Sequence, residues 1–431
     1  MTKVLDFKSN TLLVIIAFTI SAKIVGLIKE ILFASIFGTS KIADDYALGF
    51  AIMNWFPALL LSFLTIIFIP SIIKLISKKN IKIFTVLKKL NFSVYFLSSF
   101  AALAVSFILY IFYSFSIIDS MFFGVSCFIA SLCMLEAVKL QAAKKNIYIL
   151  LECLPSAVLL ICLISLGKVI SLNTLIICLI MGFFLQQTFL TKYSKQIYQK
   201  GSFQQKSKIN LEINKKIIYV VVLSQLLVTS SLPINFVSGA SLDDGIISSL
   251  NYSNKIAIIL FTFFGTVLSR YLLPKYSYLV LQKNKKIKKE MIKDAAFVLV
   301  LSSIFTLLVI LFSTQIISVL FERGAFIKQD TEYVAMLLSY QALQIPIFAF
   351  GLVLIQFLIA SNKQIFMSIS TIIAFLFKLL TIYFFIDDYG PIAIILSDFV
   401  MYFLCSFLMI LFIIVFYANP RFKSLQQHKN T

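Results

Sequence analysis

Histidine is almost absent from this chain, and its cysteines do not cluster. The single histidine, His428, lies in a polar stretch near the C-terminal end of the sequence. The six cysteines all fall within apolar runs and lack the close spacing of a metal site. Histidine-based catalysis and metal sites rich in histidine or cysteine are therefore excluded. We expect the cysteines to pack as small apolar residues.

Charge is scarce as well. Only 13% of the 431 residues are charged, 60% are hydrophobic, and the mean hydropathy is +0.99. Soluble domains of this length do not have such a composition, so the sequence predicts an all-α polytopic membrane protein. The net charge of +20 comes mainly from lysines in short loops. Lysines in that position indicate membrane topology, and we expect no nucleic-acid partner.

Twelve apolar stretches are each long enough to cross a bilayer as a helix. They span residues 11–37, 46–73, 91–117, 121–142, 147–167, 172–191, 217–238, 247–273, 295–319, 333–360, 364–386 and 391–417. The first stretch is too long and too charged for a cleavable signal peptide. The connecting loops are too short to hold a soluble domain. We therefore expect twelve transmembrane helices.

The loops alternate in charge along the chain. One set, which includes the N-terminus and the loops 74–90, 192–216 and 275–293, carries most of the lysine and arginine. The opposite set is poor in cations and carries three acidic pairs: Asp44–Asp45, Asp243–Asp244 and Asp387–Asp388. By the positive-inside rule, this pattern places both termini in the cytoplasm.

The two halves of the chain resemble each other. The first stretch ends in FGTSKIADDY and the seventh in VSGASLDDG, and the stretch after each ends in a proline, Pro70 or Pro274. Repeats of six helices keep their orientation, which is typical of transporters with a substrate site between the halves. We therefore predict a six-helix bundle at 1–195, a basic cytoplasmic linker at 196–216, a second six-helix bundle at 217–420 and a polar tail at 421–431.

Charged residues inside the apolar stretches indicate a function. Each costs about 2.5–3.5 kcal/mol on insertion scales and usually faces water or a partner. They include Lys23, Lys29, Glu30, Glu136, Glu152, Lys255, Lys378 and Asp398. Glu30 can balance only one of Lys23, Lys29 and Lys255 locally. These lysines therefore predict a cationic chamber that binds phosphate or pyrophosphate, unless each meets a carboxylate elsewhere.

The remaining charged residues suggest ion pairs. Glu136 and Glu152 lie near the inner ends of their stretches, and Lys139 is one helical turn from Glu136, so an inner-gate pair is expected there. Lys378 and Asp398 lie at matched depth in the last two stretches. They can pair either as a structural contact or as part of a gate.

Three passages share a pattern with a known family. The first contains KIVG from Lys23, KE at 29–30 and ASIFG ending at Gly38; the second is LNYSNK ending at Lys255, followed by GTV and LLP; the third is LFERGAF at 320–326. Together they resemble the MurJ/MviN lipid II flippases. That family belongs to the multidrug/oligosaccharidyl-lipid/polysaccharide (MOP) exporter superfamily, which has a MATE-like fold.

The resemblance implies a transporter without covalent chemistry. Its cargo would be an undecaprenyl-pyrophosphate-type, lipid II-like glycan that crosses from the inner to the outer leaflet of the bacterial cytoplasmic (inner) membrane by alternating access. The implied substrate-binding residues are Lys23, Lys29, Lys255, Asp44, Glu30 and Asn254. Membrane lipids are the other expected partners of a monomer. No cofactor is expected, although membrane potential or a coupling ion could drive the cycle.

The chain also departs from the family pattern. The family's arginines are lysines here, its YADR aspartate is Asn254, its cationic second-helix signature is absent, and members typically have two more helices. A Wzx-type flippase for lipid-linked polysaccharide precursors is therefore the alternative. A drug or cation antiporter would require acids in the chamber. A membrane glycosyltransferase or polymerase that uses Asp44 and Asp45 as base or metal ligands would require larger external loops.

Overall fold

The computed structural model of the chain describes residues 9–77, 82–143, 145–200, 215–282, 287–361 and 363–418. Within these ranges the chain is helical and contains no β-strand, as expected of an all-α protein. The α-helices of the described ranges are α1 (Ser9–Phe37), α2 (Lys41–Ser77), α3 (Lys82–Tyr113), α4 (Ile117–Ala142), α5 (Ile147–Leu151), α6 (Leu154–Leu166), α7 (Leu172–Lys200), α8 (Lys215–Gly239), α9 (Ile246–Leu281), α10 (Ile287–Leu311), α11 (Ser313–Phe321), α12 (Lys328–Ala342), α13 (Gln344–Ala360), α14 (Gln364–Tyr389) and α15 (Pro391–Ala418).

Each apolar stretch of the sequence corresponds to one of these helices or to two consecutive ones. Among the described residues, 10 stretches are long and apolar enough to cross a membrane. Two further helices of 29 and 36 residues, α1 and α9, are the ones that carry Lys23, Lys29 and Lys255. The chain is therefore a multi-pass membrane protein.

Proline accounts for two of the places where a long apolar stretch divides into two helices. Pro346, in the first turn of α13, lacks the amide hydrogen that would bond to the carbonyl of Ala342 at the end of α12. The hydroxyl of Thr306 on α10 donates to this carbonyl at 3.2 Å instead. Such compensation is required where no water reaches the backbone. Pro155, in the first turn of α6, likewise lacks the amide hydrogen that would bond to the carbonyl of Leu151 at the end of α5.

One face of α3 is apolar and exposed along most of the helix. Phe92, Phe96, Phe100, Leu103 and Phe107 follow one another at helical spacing, and each is between 61% and 76% exposed. A continuous apolar stripe of this length does not face water in a stable protein. It therefore marks a lipid-facing surface and explains part of the high phenylalanine content.

By packing, the chain divides into two compact units. The first comprises residues 1–213 with 323–327, and the second comprises 214–322 with 328–431. In the first unit α4 is the central helix and packs against α2, α3 and α7. In the second unit α9 packs against α12 and α13, and α14 packs against α15.

The expected linker and tail fall largely outside the described residues. Residues 201–214 of the linker expected at 196–216, and the whole of the tail expected at 421–431, are not among the described ranges. Of the linker, residues 196–200 continue α7 as helix, so this helix extends beyond its apolar stretch. The N-terminal residues of the predicted first bundle are described from residue 9.

The segment Arg323–Ile327 packs with the first unit, although the sequence assigns it to the second bundle. The amide of Ala325 donates to the carbonyl of Ser35 near the end of α1 at 2.8 Å. This approach requires glycine: a Cβ on Gly324 would lie 2.2 Å from the Ser35 carbonyl oxygen, and one on Gly38 would lie 2.6 Å from the Ala325 carbonyl oxygen. Two of the sequence motifs, ASIFG and ERGAF, therefore meet in this unit.

Replacing Gly324 by alanine is expected to displace this segment from α1. The added Cβ has no room beside the Ser35 carbonyl, and the φ of +63° strains any L side chain. Gly167→Ala is the matched control, because Gly167 has a φ of +56° with no atom within 4 Å of its added Cβ.

The measurement uses a background with Ser35→Cys and Ala325→Cys. A short bis-thiol reagent should join these positions in the Gly167→Ala variant and several-fold less in the Gly324→Ala variant, as scored by mass spectrometry of the joined peptides. Equal yields in the two variants would contradict the packing described.

Candidate functional site

Lys29 and Glu30 form a buried ion pair on α1. Nζ of Lys29 lies 2.6 Å from Oε1 of Glu30, and both side chains are more than nine-tenths buried, at 8% and 6% exposure. The same ammonium lies 5.8 Å from the ring centroids of Phe33 and Tyr46, which is within cation–π range. The charge of Lys29 therefore has both an acidic and an aromatic environment.

Lys23 and the two acids expected near the inner gate have different surroundings. Lys23 is exposed on α1 and interacts electrostatically with Glu152, which lies between α5 and α6. Glu136 instead pairs with Lys139 on its own helix, at 2.5 Å, and both side chains are at least nine-tenths buried. The sequence groups Glu136 with Glu152, whereas the structure associates each acid with a different lysine.

The remaining substrate-binding candidates are divided between the two units. Asp44 is buried in the first turn of α2, where the helix N-terminus favours a negative charge. Asn254 and Lys255 are half-buried on α9 in the second unit. Lys23 and Lys29 belong to the first unit. Both units therefore contribute lysines to the predicted substrate-binding set.

Lys378 on α14 is fully buried and connects three helices. Its ammonium donates to Oγ of Ser231 at 2.6 Å and to Oδ1 of Asn235 at 2.7 Å, both on α8, and to the carboxylate of Asp398 on α15. The same carboxylate accepts from Ser231 at 3.1 Å and from Nδ2 of Asn235 at 2.6 Å. The opposite charges are thus balanced inside one hydrogen-bonded network.

A cavity of about 190 Å³ in the second unit borders this network. Its polar lining residues are Ser231, Asn235, Asn254, Gln341, Gln344, Asp398 and Tyr402. Phe261 also lines it, with its ring centroid 6.2 Å from that of Tyr402. Among these lining residues, all of them described, Asp398 alone is charged. The cavity therefore brings together two predicted residues, Asn254 and Asp398, while Lys378 pairs with the latter.

Sequence reasoning that weighs only charged residues misses most of this cavity. Gln341 and Gln344 flank the break between α12 and α13, and Ser231 and Asn235 lie one helical turn apart on α8. Pairs of neutral polar residues one helical turn apart inside an apolar stretch would have indicated these cavity residues. Such residues share a helix face and need partners away from lipid.

A polytopic helical protein of two compact units, with ion pairs and a polar cavity inside its apolar helices, has the architecture of a membrane transporter. The family model described as "Lipid II flippase MurJ" matches residues 33–426. The chain belongs to this family, whose members are flippases and not enzymes. None of the curated proteins compared with the chain by sequence matches it.

Several solved structures share this fold at low sequence identity. One is the lipid II flippase MurJ in an inward closed conformation, with a TM-score of 0.71 and 18% identity over 93% of this chain and 87% of that chain. An inward-facing multidrug resistance MATE family transporter of the MOP superfamily has a TM-score of 0.68 and 11% identity over 96% and 99%. A MOP superfamily transporter from Pyrococcus furiosus has a TM-score of 0.56 and 10% identity over 92% and 94%. These likenesses establish a MATE-like fold.

Removing Lys378 is expected to destabilise the protein strongly. The Lys378→Met variant leaves Asp398, whose side chain is 15% exposed, without its cation among apolar helices, and breaking such a largely buried pair costs about 3–5 kcal/mol. A double variant that adds Asp398→Asn should recover most of this loss, because no uncompensated charge is left. Thermal unfolding in detergent micelles measures both variants.

Lys293→Met is the matched control, since that lysine is 63% exposed and lies 3.8 Å from Glu290. The free energy of unfolding of the Lys293→Met variant should change by less than about 1 kcal/mol. The account of the Lys378 network would be wrong if Lys378→Met were as stable as this control, or if the double variant recovered nothing.

Proposed function

We propose that this protein is a flippase for a polyprenyl-pyrophosphate-linked sugar, lipid II or a close relative, in the bacterial cytoplasmic membrane. It carries the lipid from the inner to the outer leaflet without changing it. The observation that carries the proposal is membership in the lipid II flippase family across residues 33–426. Lysines within otherwise apolar helices support it, because an anionic headgroup is the cargo that such cations suit.

Twelve crossings with both termini in the cytoplasm are part of the proposal. The pairs α5–α6, α10–α11 and α12–α13 each cross as one segment, and α1 and α9 cross in spite of their charges. The 10 apolar stretches and the lysine-rich loops of one side support this topology. The protein works as a monomer in which two six-helix bundles alternate between inward-facing and outward-facing states.

Lys23, Lys29 and Lys255 bind the diphosphate, and Asp44, Glu30 and Asn254 complete the site. The pairing of Lys29 with Glu30 supports a binding step in which the diphosphate replaces a carboxylate as the partner of the amine. Lysine suits such an exchange, because its compact ammonium on a flexible stem can follow a moving phosphate. Arginine fixes a planar, bidentate geometry instead.

A Wzx-type flippase for lipid-linked polysaccharide precursors is the second candidate. The lysines at all three positions favour it, since they relax the arginine pattern of the lipid II flippases while keeping the charge. The two candidates differ only in the sugar headgroup. Depleting the protein and identifying the lipid-linked precursor that accumulates on the inner leaflet distinguishes them.

Neutralising Lys23 and Lys255 together, by glutamine, is expected to slow flipping by at least about a hundredfold, because two charged donors are lost. A hydrogen bond from a charged donor contributes about 1.5–3 kcal/mol, and about 1.4 kcal/mol corresponds to a factor of ten. The same positions changed to arginine should keep most of the activity. Flipping is measured in proteoliposomes with a fluorescent polyprenyl-diphosphate sugar and an impermeant quencher.

Lys41→Gln is the matched control, because that lysine is exposed at the start of α2. It should flip normally. Normal flipping by the double glutamine variant, with folded protein in the membrane, would refute the role of these lysines. The lipid recovered from the assay should be chemically unchanged, whereas a glycosyltransferase or polymerase would convert it.

An interior-negative membrane potential is expected to favour outward movement of the headgroup. Each net negative charge that crosses gains about 2.3 kcal/mol per 100 mV, which is roughly a fiftyfold change in the leaflet ratio. Potassium diffusion potentials set with valinomycin in proteoliposomes should shift the distribution in opposite directions for opposite polarities. If the distribution of the lipid between the leaflets were the same at both polarities, no net charge would move in the cycle.

A further inference from the structure

The cavity of the second unit contains an acceptor that no described residue satisfies. Oε1 of Gln341 is buried and has no hydrogen-bond partner among the described residues, and the residue as a whole is 7% exposed. Leaving such an atom unpaired is unfavourable. Gln341 lines the cavity, and a turn of its carboxamide would present this acceptor to a ligand that carries a hydrogen-bond donor.

The charge of the lining indicates which kind of ligand fits. Asp398 is the single charged residue among the lining residues, and its carboxylate already binds the ammonium of Lys378. Ser231 and Asn235 also donate to this carboxylate. The lining therefore presents neither a net positive nor a net negative charge, so it selects a neutral polar ligand over an ion.

The other groups match hydroxyls and a ring. The carboxamide of Asn254 belongs to a lining residue, and Gln344 uses its amide nitrogen to donate to the carbonyl of Ile395 at 3.0 Å. Carboxamides offer both a donor and an acceptor, as neighbouring hydroxyls on a sugar require. The rings of Phe261 and Tyr402 provide an apolar wall for the C–H face of such a ring.

The size of the cavity is also suitable. Its 190 Å³ corresponds to space for on the order of ten water molecules, which is ample for one sugar ring. The cavity is lined by α8, α9, α12, α13 and α15, all of the second unit. A site lined by residues of five helices can hold a ring in a defined orientation.

We propose that this cavity is a sugar-binding pocket, in which Gln341, Asn254 and Gln344 bind the hydroxyl or acetamido groups of a neutral hexose ring against Phe261 and Tyr402. Lys378 is a positioning residue that holds the Asp398 carboxylate in the lining. This assignment rests on the proposed function, since the ring would be the headgroup of the lipid-linked glycan. Lys255 follows Asn254 on α9, so one helix contributes to both diphosphate and sugar recognition.

The test uses the full-length protein in detergent and two probes that separate the two recognition steps. Methyl 2-acetamido-2-deoxyglucoside reports on the pocket through saturation-transfer NMR, and inorganic pyrophosphate reports on the lysines through calorimetry. The variants are Gln341→Leu and Asn254→Leu, each of which removes a carboxamide. The matched control is Gln186→Leu, because Gln186 on α7 is 2% exposed and also has an unsatisfied Oε1, but it does not line the cavity.

The glycoside signal should fall at least fivefold in Gln341→Leu and in Asn254→Leu and stay unchanged in Gln186→Leu. The thermal unfolding temperature of Gln341→Leu and of Gln186→Leu should rise or stay constant, because each loses an unsatisfied buried acceptor. A fall in glycoside binding accompanied by such a rise separates ligand binding from a fold defect. Pyrophosphate binding should be the same in Gln341→Leu and in Gln186→Leu, since neither residue belongs to the proposed diphosphate site.

Two results would overturn the proposal that this cavity is a sugar-binding pocket. One is the absence of a glycoside signal with the unaltered protein, and the other is an equal signal in Gln341→Leu, Asn254→Leu and Gln186→Leu. If pyrophosphate still binds in those samples, the proposed function stands without the pocket. If the glycoside binds as expected and pyrophosphate does not, the lysine site fails and the pocket stands.

Discussion

A charge inside a membrane-spanning helix needs a partner within reach, because lipid tails and apolar neighbours supply none. This constraint organises the described interior of the protein. Lys29 meets Glu30, Lys139 meets Glu136, and Lys378 meets Asp398. Apolar packing fills the space between these pairs, and of the three pairs Lys378 with Asp398 is the one that joins two helices. Each of these buried charges therefore has its partner inside the protein.

The pairs differ in what they hold together. Lys29 with Glu30, and Glu136 with Lys139, each lie on a single helix and survive any movement of that helix as a rigid body. Lys378 instead binds residues of α8 and α15 from α14, so separation of these helices would leave buried charges unpaired. The three helices consequently behave as one block within the second unit. In the proposed function, the exchange of partners would fall to Lys29 and Glu30 on α1, because this lysine could turn to a ligand without separating α1 from its neighbours.

Sequence alone was sufficient for the all-α class, the apolar stretches and the family resemblance, because each depends on composition and on local motifs. The pair of Glu136 with Lys139 follows from its spacing of one helical turn. Ser231 and Asn235 could not be assigned to Lys378 in this way, since they are separated from it by more than a hundred residues and carry no charge. The contact of Ala325 with Ser35 could not be predicted from the sequence either. A glycine in ERGAF indicates a tight approach but does not identify what is approached.

The cavity gives a physical reason why Asn254 stands where the family's YADR motif has an aspartate. An aspartate at this position would add a second carboxylate to a lining whose one acid is already balanced by Lys378. Asparagine keeps the lining neutral, so discrimination among ligands depends on hydrogen-bond geometry and not on net charge. Sites that hydrogen-bond a hydroxyl reject analogues without it far more strongly than apolar pockets reject a missing methylene. A carboxamide lining with one unsatisfied acceptor at Gln341 is therefore suited to distinguish one sugar headgroup from another, while in the proposed function the lysines would recognise the diphosphate that all such lipids share.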